Sequence, residues 1–178
     1  MKNTLKLLIS SAIAIAAIMY NANAQTTNIT SLVNHYASYF AGSVKDTGKN
    51  NELYSTAYKR ALKDFQKTFA GINDVTWYDA TSGGYIARFM QNDVKTIVAY
   101  NPKGNWSYTI HYYGEKKLPE DVRGIVKRTY YDYSIFGVSE VHFREQTVYI
   151  IYIQDENQFK TIRVYDDEMD ELASYPKG

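Results

Sequence analysis

From Tyr54 onward the chain alternates between two hydrophobic periods. Tyr54, Tyr58, Leu62, Phe65 and Phe69 recur every three or four residues and form one apolar stripe, which predicts an amphipathic helix. Ser55 offers a hydroxyl for its first turn, and Ala70-Gly71 supplies the stop. Beyond Gly71 the period shortens to two and predicts strands at 75–79, 85–91, 95–101 and 105–113. Ser82-Gly83-Gly84, Asn92-Asp93 and Asn101-Pro102-Lys103-Gly104 are the turns between them. The pattern then starts over. Leu118-Pro119-Glu120-Asp121 opens a second helix with proline in its first turn and acids at its positive end. Val122, Ile125, Val126, Thr129 and Tyr130 give that helix its apolar face, and strands follow at 134–143, 147–154, 159–165 and 171–175.

The two halves can be laid over each other. Tyr85-Ile86-Ala87-Arg88-Phe89 falls on Tyr149-Ile150-Ile151-Tyr152-Ile153, and the Lys-Thr-Ile of 95–97 falls on that of 160–162. The expected fold is therefore α+β: a tandem repeat of a helix followed by a four-stranded antiparallel meander, with subrepeats at 54–114 and 115–178. Alternation across the pleat assigns Tyr85, Ala87, Phe89, Ile97 and Ala99, with Tyr149, Ile151, Ile153, Ile162 and Val164, to the face under the helices. The other face carries Ile86, Arg88, Thr96, Val98 and Tyr100, then Ile150, Tyr152, Thr161, Arg163 and Tyr165. A solvated sheet face is mainly Lys, Glu and Thr. This one is rich in tyrosine and arginine, the types enriched at protein interfaces.

The N-terminus sets the compartment. Lys2 and Lys6, an uncharged apolar stretch through Met19 and the small residues Ala22-Asn23-Ala24 have the three-part layout of a secretory signal peptide, residues 1–24. Its apolar stretch is too short for a spanning helix, so no transmembrane segment is expected after cleavage. Residues 25–53 read as an extension, with Ile29, Leu32, Val33, Tyr36, Tyr39 and Phe40 at helical spacing and a polar linker after Gly42. Removing the leader takes two lysines and no acid from a chain of net charge +1, leaving −1. That balance gives no footprint for nucleic acid. There is no cysteine, so an exported chain of this kind relies on buried apolar surface instead of disulfides. Its 18 tyrosines are the abundant material for that core and for contacts with other molecules.

The run of residues Ala61-Leu62-Lys63-Asp64-Phe65, Val75-Thr76-Trp77, Gly84-Tyr85-Ile86-Ala87-Arg88-Phe89, Asn101-Pro102-Lys103-Gly104-Asn105-Trp106 and Leu118-Pro119 resembles the PepSY-like proteins of Bacteroidetes, which are grouped with the β-lactamase-inhibitor-protein fold. The resemblance covers about residues 54–176. It implies an exported helix-plus-four-strand tandem without catalytic apparatus. In the inhibitor itself a concave sheet face grips a protein enzyme. The second half departs from the pattern, with Met169 and Glu171 aligned to Gly104 and Trp106.

The chemistry-bearing residues are sparse. No cysteine and no Gly-x-Ser-x-Gly elbow offers a nucleophile. His35, His111 and His142 fall on different elements without zinc-ligand spacing. The acidic run 166–171 lacks the glycine and alternation of a calcium loop and reads as a solvated turn. The reading is a non-enzymatic, exported protein-binding module without cofactor, acting in the periplasm or outside the cell on a protein partner of the envelope. Its candidate contacts are Arg88, Tyr100, Tyr152, Arg163 and Tyr165, with Trp106 and Tyr108 at the margin. A carbohydrate-binding or hydrolytic envelope protein, stacking sugars on Trp106, Tyr108 and Tyr112, is the alternative; a structural surface protein is a third.

Overall fold

The Ser55 hydroxyl accepts a hydrogen bond from the Tyr58 amide at 3.1 Å and caps the first helix, α1, Thr56–Thr68. The computed structural model describes residues 55–80 and 83–177. The leader, the extension 25–53, Tyr54 and Ser82 lie outside the described residues. After α1 come β1 (Val75–Asp79), β2 (Tyr85–Gln91), β3 (Val94–Tyr100) and β4 (Trp106–Tyr113). A 3₁₀ turn at Glu115–Lys117 leads into α2 (Glu120–Thr129), followed by β5 (Ser134–Phe143), β6 (Gln146–Gln154), β7 (Gln158–Tyr165) and β8 (Glu168–Pro176). All eight strands form one antiparallel sheet in chain order. The fold is α+β. Asn92-Asp93 and Asp166-Asp167 all have positive φ, the conformation of tight primed hairpin turns. The acidic run is thus a two-residue turn running into β8.

Both helices lie on the same side of the sheet, each over its own core. Ala61 and Phe65 of α1 pack on Ala87, Phe89, Val98 and Tyr100, with Trp77 and Phe69 beside them. Aromatic edges meet within this core: Phe65 lies 5.4 Å from Trp77 and 5.6 Å from Phe89, both edge to face. Leu118, Val122 and Val126 cover Ile151, Ile153, Ile162 and Val164 in the second core. No described helix is long and apolar enough to cross a membrane.

The 101–105 turn is seated on α1. Asn101 Oδ1 accepts from the Lys103 and Asn105 amides, and Arg60 donates to the Lys103 carbonyl at 2.9 Å. Gly104 has φ +78, and a Cβ on it would lie 1.9 Å from the Ala57 carbonyl oxygen. Only glycine permits this approach of turn to helix.

Two expected placements are corrected by the register. Ala87 pairs with Val98, whereas Ile151 pairs with Ile162, so Val98, not Ile97, is the counterpart of Ile162. Laying one Lys-Thr-Ile on the other is off by one residue, and a one-residue slip exchanges the faces of a strand. Thr96, Val98 and Tyr100 therefore point to the helices, while Ile97 and Ala99 point away. Tyr100, expected as a partner contact, is 2% exposed; it stacks on Trp77 and donates its hydroxyl to Asp64 at 3.1 Å. Tyr100 is a core residue.

Trp106 is displaced by a different device. Tyr100 pairs with Trp106 and Ala99 with Tyr108, leaving Ser107 as the extra residue of a bulge. The indole is thereby carried to the helix side, where its Nε1 donates to Thr109 Oγ1 at 2.9 Å. Tyr108 and Tyr112 stay on the opposite face, so the three aromatics do not form one stacking platform.

Candidate functional site: the helix-free sheet face

The helix-free face is built by alternate residues of every strand. Register places Arg88 opposite Thr76 and Ile97, Tyr112 opposite Lys95 and Ser139, Ile150 opposite Arg163, and Tyr152 opposite Thr161. No described helix covers it, yet Ile97, Ile110, Val141 and Ile150 are buried. Above this aliphatic floor stand Tyr108, Tyr112 and Tyr152. Burial pushes all three hydroxyls upward; for Tyr112 the Tyr152 and Tyr108 hydroxyls add to the effect and Arg88 opposes it. At neutral pH they are uncharged donors. Tyr152 meets Ser139 Oγ at 3.4 Å, a weak contact.

Arg88 is the distinctive charge of this face. Its guanidinium lies over the Tyr78 ring, 4.8 Å from the centroid. Its Nε is the one buried side-chain nitrogen or oxygen among the described residues without a hydrogen-bond partner. Such an unmet donor costs about 1–3 kcal/mol, more on a charged group. Lys95 lies 5.8 Å over the Tyr112 ring.

The far end of the face is organised differently. Arg163 donates from Nε at 3.1 Å and from Nη2 to Asp170 Oδ2, so its charge is matched. Tyr165 accepts from Gln146 Nε2 at 2.6 Å and is 37% exposed. Phe136, also exposed, stands 6.1 Å from Tyr152 and 6.0 Å from Phe159. It is turned out by the bulge that leaves it unpaired between Ile135 and Gly137. Sequence alternation missed Phe136 because bulges leave no periodic trace; the adjacent Gly137 was the available signal.

On the opposite face, the two helices leave a polar seam across β4 and β5. His111 and His142, read from sequence as unrelated residues, stand with ring centroids 5.3 Å apart. His142 donates from Nε2 to Glu140 Oε1 at 2.7 Å, and its Nδ1 lies 3.1 Å from Thr147 Oγ1. Tyr113 donates to the other Glu140 oxygen, and Thr96 Oγ1 lies 3.0 Å from His111 Nδ1. Desolvation alone would raise Glu140, but hydrogen bonds from His142 and Tyr113, and the two imidazoles, outweigh it and hold the carboxyl below its usual range. Desolvation, then His142, lowers His111, with Glu140 opposing. Thr96, His111, Tyr113 and Glu140 border a cleft of about 350 Å³ that Phe69, Phe89 and Lys117 also line. Both Glu140 oxygens are occupied by donors, so the cluster is a polar stitch between the cores. Among the described residues no acid–histidine group has metal-binding geometry.

No family model matches the chain, and no curated protein matches it in sequence. Solved structures do match its fold. A DUF2874 family protein from Bacteroides ovatus aligns with a TM-score of 0.54 and 20% identity, over 66% of this chain and 85% of that one. A Bacteroides eggerthii protein provisionally described as periplasmic gives 0.53 and 17%, over 66% and 86%. A BLIP-like protein from Bacteroides fragilis gives 0.53 and 15%, over 74% and 90%. At these identities the likeness carries the fold alone.

Proposed function

We propose that the chain is an exported, non-enzymatic module that binds another protein through its helix-free sheet face. The observation that carries this reading is the composition of that face. Three uncharged tyrosine hydroxyls and an arginine with an unmet donor stand over a buried aliphatic floor, in the manner of an interface core. The leader layout supports export, as does the description of the Bacteroides eggerthii neighbour. The BLIP-like name of another neighbour supports an inhibitor-like mode. The contacts are Arg88, Tyr108, Tyr112, Tyr152, Arg163 and Tyr165; Tyr100 and Trp106 leave the set. The two helix-and-meander halves are read as a duplication that widened one binding sheet.

The test is a matched capture experiment. Wild type and the Tyr152→Ala, Arg163→Ala double variant are immobilised and exposed to cross-linked native envelope extract. A saturable partner lost from the folded double variant is expected. The same partner retained at equal affinity would remove this face from the account.

A further inference from the structure

We propose that the partner presents an aspartate or glutamate side chain to Arg88, so that the β2–β4 half of the helix-free face is a carboxylate-binding subsite of a protein–protein interface. This rests on the docking reading above and gives its partner a chemistry.

Three observations converge on it. First, the Arg88 guanidinium makes no hydrogen bond among the described residues, and its buried Nε is unmet. A buried donor of this kind is stabilised when a ligand supplies the acceptor, and a planar guanidinium matches a carboxylate with two parallel hydrogen bonds. Second, the charge on this half is one-sided. The charged side chains that β1–β4 place on this face are Arg88 and Lys95, both positive and neither in an ion pair among the described residues. The acids of the face, Glu168 and Asp170, stand on the far strand β8, where Asp170 is taken by Arg163. Third, Tyr108 and Tyr112 flank the site with hydroxyls that burial keeps protonated, able to donate to an anion.

The half-buried Arg88 cation matches the single charge of a carboxylate; a phosphate brings closer to two. The aliphatic floor and the aromatic edge at Phe136 require apolar surface around the acid, which a folded protein segment provides and a free small anion does not. Exposed Lys95 acts at the rim, chiefly on the rate of encounter.

The experiment uses a random displayed-peptide library selected on the folded chain. Affinity of the best binder is measured by calorimetry against wild type, Arg88→Gln, Arg88→Lys and Tyr152→Ala, with thermal melts confirming that each variant folds. Recovered peptides are expected to share an Asp or Glu. Changing it to the amide weakens binding roughly 30-fold or more, as does Arg88→Gln, and the two changes together do little more than either alone. Arg88→Lys restores part of the affinity. Peptides without a shared acid, indifferent to Arg88→Gln but lost on Tyr152→Ala, overturn the carboxylate subsite and leave the docking face standing. Binders indifferent to every one of these substitutions, or no binders at all, count against both.

Discussion

Replacing Gly104 with alanine sets a backbone approach against the tolerance of an ordinary surface turn. At φ +78 an L-residue is strained, by about 1–2 kcal/mol in the left-handed region. The stiffer unfolded chain returns about 0.4–1 kcal/mol. The larger effect is steric. The new Cβ would stand 1.9 Å from the Ala57 carbonyl oxygen and 2.7 Å from its carbon, both backbone atoms of α1 that cannot swing aside. The turn must lift, which loosens the Arg60 bond to the Lys103 carbonyl, worth about 1 kcal/mol. These figures sum to roughly 1–2.6 kcal/mol of destabilisation, to which the steric lift adds, so the urea midpoint should fall by at least about 0.5–1.3 M at a slope near 2 kcal/mol/M. Gly124→Ala is the internal control: it lies within α2, where an added methyl would find nothing within 4 Å, and it is expected to stabilise by about 1 kcal/mol. Urea melts of both variants decide the matter. A Gly104→Ala midpoint equal to wild type would refute the seating of the 101–105 turn on α1.

Other substitutions follow from the same packing. Phe65→Ala, at a side chain 1% exposed among Phe69, Trp77 and Phe89, is expected to lose about 3–5 kcal/mol in denaturant melts. Tyr100→Phe removes the hydroxyl bond to Asp64 and should lower stability by about 1 kcal/mol while leaving partner affinity unchanged, the reverse of Tyr152→Ala. Acidification should weaken the fold in two stages. His111 binds its proton less readily when folded, so the unfolded chain takes it up first and stability falls as pH drops through about 6.5. Glu140 is held below 4.5 in the fold, and its contribution is lost as pH falls from that value. Urea midpoints between pH 8 and about 3 should show both steps, with the upper one absent in His111→Asn.

Much of the framework is legible in the sequence because short-range rules govern it. The Ser55 cap, the proline opening α2 and the Asn92-Asp93 turn are local chemistry, and the bounds of β1, β2 and β5 match the alternation. What fails is whatever depends on register. The Lys-Thr-Ile match is itself one residue out of step: Met90 pairs with Lys95 and Gln154 with Phe159, so the two hairpins keep the same register and Lys95 corresponds to Phe159, not to Lys160. The true register sends Tyr100 into the core and Ile97 to the helix-free face. The bulge at Ser107 did the same to Trp106. The seam cluster is illegible for another reason. His111 meets Glu140 only because β4 pairs with β5, and pairing partners separated by a whole helix leave no mark in spacing. Glu140 and His142, two apart and so on one face of one strand, were the readable half.

The most direct test of the account asks which side of the sheet touches another protein in the cell. A photoreactive amino acid is placed at Tyr108 or Tyr152 on the helix-free face, and at Lys59 or Arg128 on the exposed surfaces of the helices. Illumination should give one discrete adduct from the first pair and none from the second. Adducts arising from the helix positions while the tyrosine positions stay blank would contradict it.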